Sequence, residues 1–299
     1  MKGRADVAYK KEIWTVSRLK AWQTCPMKEA LRYRECLAPK GKKSALAIGS
    51  AIHKGIETWD IDEALKLLCV DFPRDQEEAD AQEIAIVTVE ALLNGYFQRF
   101  EPFEEHKPEK PFELRMISDH GRSYKFYIAG KIDDLVEIDG RHWIVEYKTA
   151  SRLDGSYYDR LYVDSQITMY MYAMERLGYD VAGVIYRVIR KPSLRRGKTE
   201  SLEQFKGRLI QDIEDRPEFY FEERKLHRSR DDIKTFEKMI FKEASLAEKL
   251  YKSGCAFQHS TACSMYGACE YLPLCMGEAG AEAMFEKRPP HEELEEATT

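Results

Sequence analysis

The sequence predicts an α/β fold, a mixed central sheet flanked by helices, with further helical elements toward both ends. Three observations carry this. Apolar stretches at 111–117, 124–138, 142–148 and 181–189 have strand character. A helical stretch at 163–177 separates the last two, as a crossover between parallel strands requires. Segments with helical spacing precede and follow this block.

Residues 17–34 read as an amphipathic helix with Ser17 as N-cap and Leu19, Trp22 and Leu31 on its apolar side; Cys25-Pro26 interrupts or restarts it. A basic, glycine-containing link at 40–44 leads to helices at 45–59 and 62–69, a turn at 71–75 and a long helix at 77–100. In that last helix Ile84, Val87, Val89, Leu92, Leu93, Tyr96 and Phe97 recur near helical spacing. The period then changes to that of strands, and Asp139-Gly140 signals a hairpin between the second and third. A basic run from Arg187 through Arg190, Lys191, Arg195 and Arg196 to Lys198 precedes helices at 202–214 and 231–251. The acidic stretch 278–299 reads as a frayed tail. The expected division is an N-terminal helical region (1–110), a sheet-bearing core (111–200), a C-terminal helical region (201–280) and an acidic tail (281–299).

The chain of 299 residues is 43% hydrophobic, ordinary for a globular core. A net charge of -5 means that binding to nucleic acid needs local basic patches. No apolar run has membrane-spanning length and residues 1–6 lack the apolar core of a secretion signal, so the expectation is a soluble, cytoplasmic protein with no membrane partner. Seven cysteines, an odd number, argue against a disulfide framework. No Gly-x-x-x-x-Gly-Lys-Ser/Thr loop is present, which excludes an ATP motor of that type within the sequence.

The chemistry centres on Gly130-Lys131-Ile132-Asp133 and Ile144-Val145-Glu146-Tyr147-Lys148. Glu146 and Lys148 share a strand face, and the hairpin can bring the Asp133 carboxylate beside Glu146. An isolated Asp or Glu-x-Lys is commonly a surface ion pair. Here the strand around Glu146 is apolar, so a carboxylate and an ammonium within it need a compensating partner or a metal. Two carboxylates can hold a hard divalent cation, and a lysine can orient water near it. His53 lies on a helix stripe with Gly49 and Glu57, each four residues away. Gln166 and Tyr170 share one helix face. Glu113 is either a strand residue or an accessory carboxylate. Lys40, Lys42, Lys43 and the basic run 187–198 are either solvated loops or phosphate contacts. Cys263, Cys269 and Cys275 fall within thirteen residues, with Cys25 a distant fourth and Cys255 a possible substitute; four thiolates suit an iron-sulfur cluster or zinc. Cys36 and Cys69 read as buried structural thiols.

Together these motifs resemble the PD-(D/E)XK nuclease superfamily, in its RecB-like branch. Asp133 matches the family's Asp, Glu146-Tyr147-Lys148 its Glu-x-Lys, Gln166 through Tyr170 its Gln-x-x-x-Tyr, and His53 its upstream histidine. The resemblance implies a restriction-endonuclease-like core. It also implies Mg2+ or Mn2+ held by His53, Asp133, Glu146 and the backbone carbonyl of Tyr147, with Lys148, Gln166 and Tyr170 in catalysis. Ser17 through Pro26 and the three C-terminal cysteines resemble the pattern of cluster-bearing relatives such as the AddB nuclease domain and the CRISPR adaptation nucleases. That implies a [4Fe-4S] cluster on Cys25, Cys263, Cys269 and Cys275, with zinc as the alternative, joining the N- and C-terminal helical elements. The gap from Cys263 to Cys269 is longer than in some of those relatives.

The function implied is a metal-dependent deoxyribonuclease acting on DNA, an exonuclease in recombination, repair or phage DNA processing, with a helicase, recombinase or CRISPR adaptation protein as partner. The alternative is a non-catalytic DNA-binding or assembly subunit.

Overall fold

The structure, a computed structural model, describes residues 11–40, 44–69, 75–116, 126–265 and 267–295. In chain order the elements are β1 (Glu12–Trp14), α1 (Val16–Thr24), α2 (Pro26–Glu29), a π-helical turn (Ala30–Arg34), β2 (Leu37–Pro39), α3 (Ser44–Thr58), α4 (Ile61–Lys66), α5 (Gln76–Arg99), β3 (His106–Arg115), β4 (Phe126–Ile138) and β5 (Arg141–Ala150). They continue with α6 (Gly155–Asp159), a 3-10 turn (Arg160–Val163), α7 (Ser165–Arg176), β6 (Val181–Arg190), α8 (Leu202–Asp215), α9 (Pro217–Tyr220), β7 (Phe221–Leu226) and α10 (Arg230–Lys252). After a 3-10 turn (Ser260–Cys263) come α11 (Leu272–Met276), another 3-10 turn (Ala281–Met284), β8 (Phe285–Lys287) and α12 (Glu292–Glu295).

The chain forms two compact units, neither continuous in sequence: residues 1–41, 111–131 and 229–299 make one, and 42–110 and 132–228 the other. Strands β3 and β4 each pass from one unit into the other.

In the second unit the end of β4 pairs antiparallel with β5, β5 parallel with β6, and β6 antiparallel with β7. The β4–β5 hairpin closes at Ile138 and Arg141. Its two turn residues, Asp139 and Gly140, both have positive φ, 53° and 73°, the conformation that a tight hairpin needs and that Asp-Gly tolerates. Helix α7 makes the crossover between the parallel strands β5 and β6. Strand β6 is buried along nearly its whole length, as suits a central strand covered on both faces. One face carries Val136, Val145, Tyr147, Ile185 and Ile189 into a core with Ile52 and Ile56 of α3, Leu92, Leu93 and Tyr96 of α5, and Phe205 and Leu209 of α8. Glu146, of opposite parity to Val145 and Tyr147, reaches Gln166 of α7.

In the first unit β1 runs parallel to the start of β4. The helix expected over 17–34 is broken into α1, α2 and the π-helical turn. Its cap is Thr15 rather than Ser17, because the Thr15 hydroxyl accepts from the Arg18 N–H. The break falls at Cys25, which is extended at φ -163° because the ring of Pro26 disfavours helical backbone before it. The acidic C-terminal stretch also differs from its expected fraying. β8 pairs antiparallel with β2, and Phe285 is buried against Tyr271 with ring centroids 5.5 Å apart. Two side chains that compose a small core outweigh the acidic composition around them. The expected turn at 71–75 and most of the 40–44 link, with Lys42 and Lys43, lie outside the described residues.

Candidate active site

The hairpin and the crossover helix gather the expected side chains in the second unit. The β4–β5 register ends with Asp134 opposite Val145. Beyond it the Tyr147 N–H donates to the Asp133 carboxylate at 2.8 Å, so that side chain takes the place of a ladder acceptor and is fixed at the mouth of the hairpin. Glu146 is 2% exposed. One of its oxygens, Oε1, pairs with the Lys148 ammonium and accepts from Gln166 Nε2 at 2.6 Å. The other, Oε2, is buried with no hydrogen-bond partner. Gln166 also donates to the Tyr170 hydroxyl at 3.2 Å.

The electrostatics follow from this burial. Desolvation, reinforced by the Asp133 charge, pushes the Glu146 carboxyl up to about 7 against the opposing pull of Lys148. Burial works against the Lys148 charge, but Glu146 and Asp133 outweigh it and keep the ammonium protonated. Tyr170 is raised well above the usual phenol range by burial and by the Glu146 charge, so its hydroxyl stays protonated.

His53 Nδ1 lies 3.8 Å from Asp133 Oδ1. Helix α3 comes close to β5 at Gly49: a Cβ there would stand 3.2 Å from the Thr149 hydroxyl, so a larger residue requires that side chain, or the helix that carries His53, to give by a few tenths of an ångström. His53, Ile56, Glu57, Pro108, Glu109, Asp133, Asp134 and Tyr147 line a small opening. Glu57 pairs with Lys54 at 3.2 Å. The Tyr147 ring sits edge-on to His53 and Tyr96, at 6.3 and 6.4 Å between centroids. Asp134 turns the other way and bonds His106 Nδ1 at 3.0 Å.

Two expectations are corrected, and one left open is decided. Arg187 is no phosphate contact: it is 7% exposed, its guanidinium donates to the Tyr96 hydroxyl and to Glu223, both at 2.8 Å, and it stacks 4.1 Å over the Phe100 ring. Its parity with Ile185 and Ile189 places it on the inner face, a signal present in the sequence. Glu113, for which two readings stood open, is a residue of β3 in the first unit and pairs with Lys11 at 2.6 Å. Cys69 is exposed rather than buried, and Cys36 is half-buried. A residue the sequence reading passed over is Asp164, which caps α7 by accepting from the Gln166 N–H at 2.7 Å and whose charge reaches Lys148. The Asp-Ser-Gln start of that helix was the available signal.

Among the described residues no three His, Cys, Asp or Glu side chains stand close enough to hold an ion as they are placed. The residues present still suit a hard divalent cation: a buried carboxylate oxygen without a partner beside a second carboxylate and an imidazole is an arrangement a cation would satisfy.

In the first unit, Cys25 is buried and Cys263, Cys269 and Cys275 are half-buried, while Cys255 is exposed. The Cys275 thiol is pushed up by burial and by Cys25, Cys269 and Cys263. The His259 N–H points to Cys25 Sγ at 3.4 Å, and the Met27 N–H donates to the Phe257 carbonyl at 3.0 Å, linking the segment around Cys25 to the one after α10.

A comparison with curated protein sequences finds no match. Among solved structures, the chain is similar to the crystal structure of a protein described as "Putative exonuclease" from Eubacterium rectale, at 12% identity and a TM-score of 0.48, covering 93% of this chain and 94% of that one. It is also similar to the crystal structure of SSO0001, at 14% identity and a TM-score of 0.31, covering 76% of this chain and 85% of that one. The family model of the PD-(D/E)XK nuclease superfamily matches residues 13–276, a span holding every candidate side chain above. The chain belongs to the PD-(D/E)XK nuclease superfamily.

Proposed function

We propose that the protein is a Mg2+- or Mn2+-dependent deoxyribonuclease of the RecB-like branch, an exonuclease of recombination, repair or phage DNA processing. The observation that carries the catalytic reading is Glu146: a carboxylate in the core, half satisfied by Lys148 and Gln166 and half left without a partner. His53, Asp133, Glu146 and the Tyr147 carbonyl are the residues that would hold the cation. A bound cation supplies positive charge to the scissile phosphate and acidifies water.

The chain's own groups do the rest. Lys148 presents a permanently charged donor to the attacking water and to the negative charge that develops on phosphate. Gln166 orients Glu146, and the protonated Tyr170 hydroxyl accepts the same amide. Asp133 is held in one orientation by the Tyr147 N–H. Preorganised groups of this kind lower the barrier because they need no rearrangement as charge builds. The exonuclease assignment rests on the RecB-like motif set, His53 included.

The test is cleavage of end-labelled linear and closed circular DNA with Mn2+ by wild type and Glu146→Ala. Cleavage of linear DNA only, lost in the variant, supports the reading. Cut circles point to an endonuclease, and no cleavage by folded wild type points to the DNA-binding or assembly subunit.

For the first unit the proposed cofactor is a [4Fe-4S] cluster on Cys25, Cys263, Cys269 and Cys275, with zinc as the alternative. The effect of Cys25, Cys269 and Cys263 on the Cys275 thiol supports it, since four thiolates suit such a cluster. The cluster would staple the segment around Cys25 to the one after α10. Iron, zinc and acid-labile sulfide analysis of anaerobically purified wild type and Cys25→Ser distinguishes the two.

A further inference from the structure

Immediately before the helix that carries Gln166 and Tyr170, the chain turns two apolar side chains outward. Tyr162 is 69% and Val163 81% exposed, on the 3-10 turn Arg160–Val163, while Leu161 between Arg160 and Tyr162 is 1% exposed. A turn anchored at one residue therefore holds its next two in water, where apolar surface is unfavourable unless something covers it.

The turn is clamped. Arg228 Nη2 donates to the Leu161 carbonyl at 2.6 Å and to the Asp164 carbonyl at 3.4 Å, and its Nε donates to the Thr168 hydroxyl at 2.8 Å. Asp164 closes the turn by capping α7. The Tyr162 ring is thus exposed on a support with little freedom to lose on binding, the condition under which a contact adds most to affinity.

The turn also leads directly into the candidate active site. Asp164 accepts from the Gln166 N–H at 2.7 Å, Gln166 Nε2 donates to Glu146 at 2.6 Å, and Tyr162 is two residues from Asp164, a span of at most about 7 Å. Arg160, exposed and stacked 4.4 Å over the Tyr157 ring, adds a cation on the same turn.

We propose that Tyr162 is a stacking platform for an unpaired base of the DNA strand entering the Glu146–Lys148 site, with Val163 packing beside that base and Arg160 near its phosphate. This rests on the deoxyribonuclease reading and adds a substrate preference to it. An exposed aromatic ring on a clamped backbone offers a sequence-tolerant surface to any base. In an intact duplex the base faces are already stacked on one another, so this ring favours single-stranded DNA or a frayed end.

The experiment compares wild type, Tyr162→Ala and Tyr162→Trp with a single-stranded oligonucleotide carrying 2-aminopurine near its end, and with the matching duplex. Binding is followed in Ca2+ and cleavage in Mn2+. Stacking predicts quenching of 2-aminopurine by wild type and by Tyr162→Trp, and its loss in Tyr162→Ala with roughly tenfold weaker binding of the single strand. The blunt duplex should change less, and thermal stability should be unaffected because the side chain is exposed.

Wild type that cuts DNA while Tyr162→Ala binds single strands unchanged overturns this inference and leaves the nuclease reading standing. Wild type that neither binds nor cuts DNA overturns both. Loss of a concentration-dependent dimer in Tyr162→Ala, with DNA binding intact, overturns the inference by assigning the surface to a second copy of the chain.

Discussion

Both units bury charged side chains, and a cluster in the first contrasts with one carboxylate in the second. In the first unit Arg18 and Glu29 are 3% and 1% exposed. Arg18 donates to Glu29 at 2.8 Å, to Glu12 at 2.8 Å and to the Ile13 carbonyl at 2.6 Å. Arg34 completes the group through Glu29 at 3.2 Å and Glu248 at 2.5 Å. In the second unit Glu146 is equally buried, but one oxygen has no partner and its carboxyl is pushed up to about 7. A buried charge whose bonding capacity is filled holds structure in place. One left half filled is costly in the resting protein and available to a ligand.

The sharpest test of this contrast is to remove each carboxylate. Glu146→Ala should lower DNA cleavage by about 10³-fold, and Lys148→Ala by on the order of 10²–10³, with near-wild-type melting in both. Loss of folding on replacing Glu146 would place it with the structural group instead.

The converse change, Glu29→Ala, should cost about 3–5 kcal/mol because it strands Arg18 and Arg34 without their shared carboxylate. Chemical denaturation measures it. The double replacement Arg18→Met with Glu29→Leu should recover part of that loss, since it removes the stranded charge along with its partner.

A third expectation concerns pH in metal-free protein. Glu146 titrates near 7 when folded against an unfolded value of 4.5, so the folded state binds the extra proton between them. Its contribution to stability is complete below the unfolded value and is lost as pH rises through about 7, a decline on the order of 2–3 kcal/mol. Melting of wild type and Glu146→Gln in EDTA from acid to neutral pH checks it: the wild-type slope should be steeper. Equal slopes would remove the unpaired-carboxylate account.

The smallest effect is expected at Gly49. Gly49→Val should cost about 1–3 kcal/mol by crowding Thr149, and should weaken Mn2+ dependence by displacing His53. Titration of Mn2+ against cleavage rate, beside the melting curve, separates the two consequences.

Much of the second unit was legible in the sequence because its signals are local. Strand periodicity located β4, β5 and β6, Asp139-Gly140 located the hairpin, and the helical stretch before β6 located the crossover. Parity along β5 put Glu146 with Lys148, while Asp133 came from the match to the family's motif. Strand β7 was missed: Phe221-Glu222-Glu223-Arg224-Lys225-Leu226 is mostly charged and becomes a strand by pairing with β6 at the sheet's edge. The short strands β1, β2 and β8 were missed for a related reason, since three residues carry almost no periodic signal.

By itself the sequence determined which residue types alternate, where the chain must turn and which side chains share a face, because those follow from backbone geometry and nearest neighbours. Only the tertiary structure decided that Arg187 bonds Tyr96 and Glu223, that Gly49 lies against Thr149, and that Glu146 keeps one oxygen without a partner. Each of these depends on what distant segments bring to the same place, and burial, hydrogen-bond satisfaction and the resulting pKa shift do not exist until they do.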